Sequence, residues 1–263
     1  MQKLSVALAT FNEEENIRMC LNAVHGWADE IVIVDGTSTD KTAEIAKSLG
    51  ARVIEKPNQK NFHINKQIAI DACKHPWILQ LDADEVVSES QKKEIDRIRK
   101  GEAEEVFDGY WMPRKNWFLG RFLMKGGQYP DYTLRFYKNG KGRLPQKDVH
   151  EQAVVDGKVG YLKEALLHYP YKDFTFYIKK WNRYNIFAAD LLKQELKHTP
   201  FGTKIQRFFL DLFIRPVWWF LWVYGRHKGF MDSWQGFVFC FFSAIRFPVS
   251  YLIYLRNTLM FRE

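Results

Sequence analysis

The feature that most constrains this chain is a regular alternation over its first hundred residues, where short apolar runs rich in β-branched side chains are each followed by a helix-period pattern. Residues 4–9 read as a strand, and 12–24 as a helix with Asn12 as N-cap and Glu13, Glu14 and Glu15 in the positively polarised first turn. Residues 30–34 form a second strand, 39–49 a second helix stopped by Gly50, 52–55 a third strand, 61–74 a third helix, and 77–81 a fourth strand ending at Asp82. Strands joined through helices cross over right-handed and build a parallel sheet, whose ligand sits beyond the carboxyl ends of the strands. The polar residues at those ends are therefore the first candidates for function.

After a further helix at 88–100 the pattern turns to aromatic, strand-like runs at 109–118, 132–137, 149–155 and 161–168, with Asn139-Gly140 as a hairpin-turn signal. These predict mixed or antiparallel strands added to the same sheet. From Asp173 the period is helical: Tyr177, Trp181, Tyr184, Ala188 and Leu191 recur four, three, four and three residues apart on one face. With 263 residues, 46% of them apolar, the chain can bury one large core and carry an appendage, read here as an α/β domain at 1–172 and a helical region at 173–263. Cys20, Cys73 and Cys240 have unrelated spacings that fit neither a disulfide framework nor a zinc site. The opening residues hold one cation and a short apolar stretch before Asn12, so no secretory signal is expected and the setting is cytosolic.

The net charge of +8 is not spread evenly, because residues 175–263 carry 13 basic and 5 acidic side chains while residues 1–174 balance at 26 of each. The same C-terminal stretch holds 24 of the 42 aromatic residues, among them Trp181, Trp218, Trp219, Trp222 and Trp234. A cationic, aromatic tail behind a neutral body fits an anionic membrane surface better than nucleic acid. Residues 208–224 and 236–255 are apolar enough to raise a membrane span, but Asp211, Arg215 and Pro216 interrupt the first, and Arg246 and Pro248 the second. A mid-span charge costs roughly 2.5 to 3.5 kcal/mol, which favours interfacial helices over a span or a buried hairpin.

Three strand-end motifs carry chemistry. Asp82-Ala83-Asp84 follows the buried run 77–81, and two carboxylates one residue apart there can reach a divalent cation and a nucleotide ribose together. Asp35, closing the second strand, can bond the polar edge of a base, whereas Ser38, Thr39 and Thr42 read as turn and cap chemistry and Ser38 or Asp40 can cap the next helix. Thr10 and Glu13, closing the first strand, line the same crevice, and Lys66 on the third helix can project a cation toward a diphosphate.

Thr10-Phe11-Asn12-Glu13, Ile33-Val34-Asp35-Gly36-Thr37-Ser38-Thr39-Asp40 and Leu81-Asp82-Ala83-Asp84, in this order and spacing, resemble the nucleotide-sugar-binding half of family 2 glycosyltransferases. Tyr129-Pro130-Asp131, Leu134-Arg135-Phe136-Tyr137 and Val149-His150-Glu151 resemble the bacterial branch that adds a hexose to the lipopolysaccharide inner core. The resemblance implies a GT-A fold with a C-terminal helical membrane-associating region, an inverting hexosyl transfer from a nucleotide sugar such as a UDP-sugar, and Mg²⁺ or Mn²⁺ as cofactor. It implies a lipid-linked saccharide acceptor and a peripheral location on the cytoplasmic face of the inner membrane. By position, Thr10, Asn12 and Glu13 are donor contacts, Asp35 a uracil or ribose contact, Lys66 a base or diphosphate contact, Asp82 a ribose contact and Asp84 a metal ligand. The chain departs from the family pattern at Gly36, where many members have a second acid, and at Lys66, where many have an arginine.

An inverting displacement needs a carboxylate on the acceptor side of the sugar. Asp131 and Glu151 are the candidates from the second half, with Glu151 preferred because His150 beside it offers a further group for the metal or diphosphate. Strand alternation would send His150 and Glu151 to opposite faces, so this assignment requires a loop or bulge over 149–152. A polyprenyl-phosphate sugar synthase of the same fold is the rival enzyme. A nucleic-acid-binding protein or an inactive membrane scaffold would leave the strand-end motifs idle.

Overall fold

The computed structural model describes residues 1–59, 61–145 and 152–259, with the side chain of residue 259 excepted. By internal contacts the described chain falls into two units, Met1–Lys115 with Pro130–Tyr169, and Asn116–Tyr129 with Pro170–Glu263. The second unit thus takes in residues 116–129, which lie within the expected 1–172 domain.

The first unit starts with β1 (Leu4–Thr10), α1 (Ile17–Val24), β2 (Glu30–Asp35), α2 (Thr42–Ser48), β3 (Arg52–Glu55), α3 (His63–Asp71) and β4 (Trp77–Gln80). The four strands pair in parallel in the order β3-β2-β1-β4, with Thr10 opposite Asp35 at their carboxyl ends. Both faces of β1, β2 and β4 are covered, which is why these three read as largely apolar runs, whereas β3 (Arg-Val-Ile-Glu) is an edge strand with exposed ends. Leu4, Val6 and Leu8 point into one core with Ile17, Leu21 and Val24 of α1, while Ala7, Val32 and Ile78 meet Ala69 and Ile70 of α3 on the other face.

In chain order then follow β5 (Glu85–Val87), α4 (Glu89–Lys100), β6 (Gly109–Phe118), β7 (Arg121–Leu123), β8 (Asp131–Lys138), β9 (Gly142–Arg143), β10 (Val154–Val155), β11 (Val159–Tyr161) and β12 (Leu166–His168), of which β7 and the last three residues of β6 belong to the second unit. β8 pairs antiparallel with β4 and β6, and β12 antiparallel with β5, so the sheet is mixed as expected. Ser88 caps α4 by accepting from the Gln91 N–H at 3.2 Å. The Asn139-Gly140 turn forms, with Gly140 at φ +78°, but β9 pairs with β10 instead of returning along β8. Both neighbouring positions of β8 are already taken by β4 and β6. The strand expected over 161–168 is broken after Tyr161 and resumes at Leu166, and of 149–155 the described strand comprises Val154–Val155.

In the second unit Asp173 caps α5 (Phe174–Glu195), its Oδ1 accepting from the Phe176 N–H at 2.6 Å. The buried stripe of α5 is Tyr177, Asn185, Ala189 and Leu192, so the expected face is corrected: Tyr184 and Leu191 are about half exposed. Asn185 is buried because it accepts from the Ser250 hydroxyl of α8 (Ser233–Leu259), and the aromatic neighbours turn outward. Between them the chain stays helical through α6 (Phe201–Phe209), a π-helical turn at Leu210–Ile214, α7 (Arg215–Phe220) and a second π turn at Leu221–Arg226. Pro216 has no N–H to return to residue 212, and the ladder widens just before it. Buried Asp232 accepts from the N–H groups of Met124 and Lys125 at 2.9 and 2.7 Å and so ties the start of α8 to the 116–129 segment. Among the described residues one helical stretch, Gly229–Thr258, is long and apolar enough to cross a membrane.

Candidate active site

The loops leaving β1 and β2 are bound to one another. Asp35 is buried at the end of β2, and its Oδ1 accepts from the Thr10 hydroxyl at 3.1 Å and the Ser38 hydroxyl at 2.6 Å, while its Oδ2 accepts from the Ser38 N–H at 2.8 Å. A carboxylate offers about four acceptor positions, so little of Asp35 remains for a base. Asn12 is not the N-cap of α1: it takes a left-handed φ of +54°, and its Oδ1 accepts from the Thr39 N–H at 2.8 Å. Glu13 and Glu14 likewise donate their N–H groups to Thr42 Oγ1 and Asp40 Oδ2. These bonds across the loops hold residues 12–14 out of the helix, which starts at Ile17 with no acid in its first turn. Ser38, Thr39 and Thr42 do serve turn and cap geometry, with the Thr42 N–H donating to Asp40. Gly36 is closely packed, since a Cβ there would lie 3.2 Å from both Asn58 Cβ and the Thr10 carbonyl.

Beyond β4 lies a buried cluster of charge. Asp82 is ion-paired through Oδ1 with Lys66 and through Oδ2 with Arg135 at 2.5 Å, and Arg135 also donates to Gln80. Glu85 has no exposed surface; its Oε1 accepts from Arg114 at 3.1 Å and Arg135 at 3.2 Å, and its Oε2 from the Asp82 N–H at 2.9 Å. Arg114 continues to Asp131 Oδ2, donating from Nε at 3.0 Å and Nη2 at 2.7 Å. Burial would raise the Asp82 carboxyl, but Arg135 and then Lys66 outweigh it and hold the group well below the usual carboxylate range. Burial pulls the Lys66 ammonium down despite Asp82. Burial also works against the Arg135 guanidinium, but Asp82 and Glu85 hold its pKa up.

A cavity of about 230 Å³ opens over this cluster, lined by Phe62, Lys66, Gln80, Asp82, Arg114, Thr133, Arg135 and Gln152 among others. Of the residues expected from sequence, Lys66 and Asp82 line it. His150 and Glu151 lie outside the described residues, as do 146–149; Gln152, which follows Glu151, is in the lining. Gln152 belongs to no strand, and the rest of 149–152, where a loop or bulge is required, lies outside the described residues.

The second acid of the Asp-Ala-Asp motif, Asp84, is not among the residues lining the cavity. Its Oδ2 is 3.3 Å from His168 Nε2, and its carbonyl accepts from the Tyr169 N–H at 2.8 Å, because β12 runs antiparallel beside β5 with His168 opposite Glu85. Sequence reasoning missed His168, although it closes a short apolar strand in the way Asp35 does. No group of three or more His, Cys, Asp or Glu side chains placed to hold a metal occurs among the described residues. A carboxylate and an imidazole at one partly exposed point nevertheless fit a divalent cation of the kind that completes its shell with substrate phosphates and water.

Residues 5–169 match the model of the family described as glycosyl transferase family 2. The chain belongs to that family. The mixed sheet with flanking helices is its GT-A-like fold, and the protein is a glycosyltransferase. The lipopolysaccharide core biosynthesis glycosyltransferase LpsC of Rhizobium meliloti is 30% identical over 274 residues, 98% of this chain and 94% of LpsC. An uncharacterized glycosyltransferase of Rickettsia typhi is 29% identical over 248 residues, covering 90% of this chain and 82% of the relative. The crystal structure of S. aureus TarS, residues 1–349, aligns at a TM-score of 0.47 and 15% identity, covering 98% of this chain and 92% of that one.

Proposed function

We propose that this glycosyltransferase moves a hexose from a UDP-sugar, with inversion, onto a lipid-linked saccharide such as the lipopolysaccharide core, at the cytoplasmic face of a membrane. The observation that carries the reading is the pairing of Asp84 with His168 two residues on from Asp82, which joins Lys66 and Arg135 in the lining of the cavity. Similarity to LpsC over nearly the whole chain supports the acceptor class, and the cationic, aromatic-rich second unit supports attachment to anionic lipid.

On this reading Thr10, Asn12, Glu13 and Asp35 shape the nucleoside end of the site, the first and last by fixing the two loops on each other. Lys66 presents a cation to the diphosphate and Asp82 orients Lys66 and Arg135, with its ribose contact made at the cavity wall. Asp84 and His168 would hold the divalent cation, with His150 as a further candidate, and Mg²⁺ or Mn²⁺ there would offset the charge on the departing nucleotide. The acceptor hydroxyl attacks the anomeric carbon, its proton passes to the Glu151 carboxylate, and the bond to the diphosphate oxygen breaks on the opposite side. Asp131, twice bonded by Arg114, is the second candidate for the base.

The test is to incubate purified protein with a panel of nucleotide sugars and Mg²⁺ or Mn²⁺ and measure nucleotide release. Release from a UDP-hexose that stops with EDTA supports the reading, and release from none of the panel sinks it.

A further inference from the structure

From Phe201 to Tyr224 the helical chain keeps a period of four through α6, α7 and the π turns. Phe201, Ile205, Phe209, Phe213, Val217 and Leu221 are each at least 43% exposed, and Leu210, Ile214, Trp218 and Trp222 form an exposed row beside them. The other two rows face the protein: the Trp219 indole donates to Ser243 of α8 at 2.8 Å, and Phe208 and Phe220 lie against Tyr251 and Phe237, with ring centroids 5.9 Å apart in each pair. At 3.6 residues per turn a spacing of four drifts by about 40° at each step, so a regular helix would carry the row round toward α8. A π turn bonds i to i+5 and so takes up an extra residue. The one at Leu210–Ile214 resets the row at its middle and the one at Leu221–Arg226 at its end. The result is a straight outward stripe over residues 201–222 whose one polar side chain is Gln206.

Charge marks the two ends of the stripe. Lys197 is exposed and Lys204 half-exposed at its start, and Arg226 and Lys228 are exposed just past its end. The acids between residues 196 and 259 are Asp211 and Asp232, and both are buried. Asp211 accepts from Arg207 Nε at 2.6 Å and Arg215 Nη1 at 2.5 Å, and Glu195, just before this stretch, is ion-paired with Arg207 at 3.4 Å. A surface that is apolar along its length and cationic at both ends complements anionic headgroups over hydrocarbon. A second copy of the chain is disfavoured as occupant, because stripe against stripe in either direction sets cations against cations. Crossing the bilayer is disfavoured too, since Arg215, whose side chain is 38% exposed, stands midway along the stripe and would lie at the costly centre of the hydrocarbon.

We propose that residues 201–222 lie in the plane of one leaflet of an anionic membrane, with the row from Phe201 to Leu221 sunk beneath the headgroups and the cations at both ends among them. The π turns keep every apolar side chain of that row on the lipid side, and the Arg207–Asp211–Arg215 row faces away from the hydrocarbon. The proposal rests on the reading of the second unit as membrane-attached, and goes beyond it by naming the embedded element and its orientation.

The experiment measures co-sedimentation of the full-length protein with vesicles of phosphatidylcholine containing phosphatidylglycerol, and the depth of nitroxides placed one at a time at Ile205→Cys, Phe213→Cys and Leu221→Cys. Cys20, Cys73 and Cys240 are buried and do not compete for the label. Phe209→Gln/Phe213→Gln/Val217→Gln should weaken binding about 10-fold or more, as the loss of three inserted apolar side chains predicts. Tyr184→Gln/Phe187→Gln/Leu191→Gln, on the exposed side of α5, should leave it unchanged. The three nitroxides should collide with oxygen more than with a water-soluble nickel chelate, and all to the same extent. Binding that ignores the first triple variant, or that the α5 variant weakens as much, overturns the stripe while leaving membrane attachment standing. A deep label at 213 between shallow ones at 205 and 221 makes the helix a span and overturns the in-plane orientation. A lipid-free dimer in sedimentation that the first triple variant abolishes makes the occupant a second copy and overturns the proposal. Failure to bind the vesicles at all overturns both the proposal and the membrane reading beneath it.

Discussion

Replacing Glu85 with glutamine should unbalance the charge cluster under the cavity without changing its shape. Lys66, Arg114 and Arg135 face Asp82, Glu85 and Asp131, so the cluster is neutral and the substitution leaves one uncompensated cation. Glu85 has no exposed surface, and its carboxylate accepts from two guanidiniums at 3.1 and 3.2 Å and one backbone N–H at 2.9 Å. Breaking a buried pair costs about 3 to 5 kcal/mol, and the amide retains one acceptor, so the lower end, about 3 kcal/mol, is expected. At a urea m-value of about 2.5 kcal/mol/M this is a midpoint shift of about 1 M with the slope unchanged. Arg114→Met in the same background restores neutrality and should recover part of the loss, a coupling that separate single variants cannot imitate. A midpoint within about 0.3 M of wild type, or a double variant no more stable than Glu85→Gln, would refute the idea that Glu85 neutralises the cluster.

Three further outcomes follow from the site. Glu151→Gln should lower sugar transfer by ~10²- to 10⁴-fold with donor affinity nearly unchanged, and if Asp131→Asn does this instead, the two roles are exchanged. His168→Asn should raise the metal concentration needed for half-maximal nucleotide release by about 10-fold or more; an unchanged metal dependence removes His168 from the metal site. Because the folded-state pKa of Asp82 lies below its unfolded value, its contribution to stability is complete above the ordinary carboxylate range and is lost as pH falls below it. Asp82→Asn should therefore flatten the acid limb of the stability profile below about pH 4, and an acid limb unchanged in Asp82→Asn contradicts the ion pairing.

β1, β2 and β4 were legible because burial on both faces leaves a largely apolar run, and the run ends where the backbone reaches the site: β2 at Asp35, and β4 two residues before Asp82. The start of α1 was not legible. Asn12 and Glu13 carry the local signature of a cap and an acidic first turn, and bonds to Ser38, Thr39 and Thr42, some 26 to 29 residues away, take them instead. The charge cluster was half legible: Asp82 stood at a strand end, but Arg114, Arg135 and Glu85 sit within strands, where a charge ordinarily reads as solvated. Their partners come from other strands of the sheet, and no spacing in the sequence records that. On α5, periodicity put Tyr184 and Leu191 inside, whereas a hydrogen bond from Ser250 draws polar Asn185 in and turns them out.

The central claim is tested most directly by following radiolabelled hexose from its UDP donor into a purified lipopolysaccharide core acceptor, with Mn²⁺ present, for wild type and Asp84→Asn. The account predicts label in the acceptor with wild type, none with EDTA, and none with a folded Asp84→Asn protein. Undiminished transfer by Asp84→Asn in EDTA would contradict the assignment of Asp84, and nucleotide release with no label in any lipid-linked saccharide would contradict the acceptor.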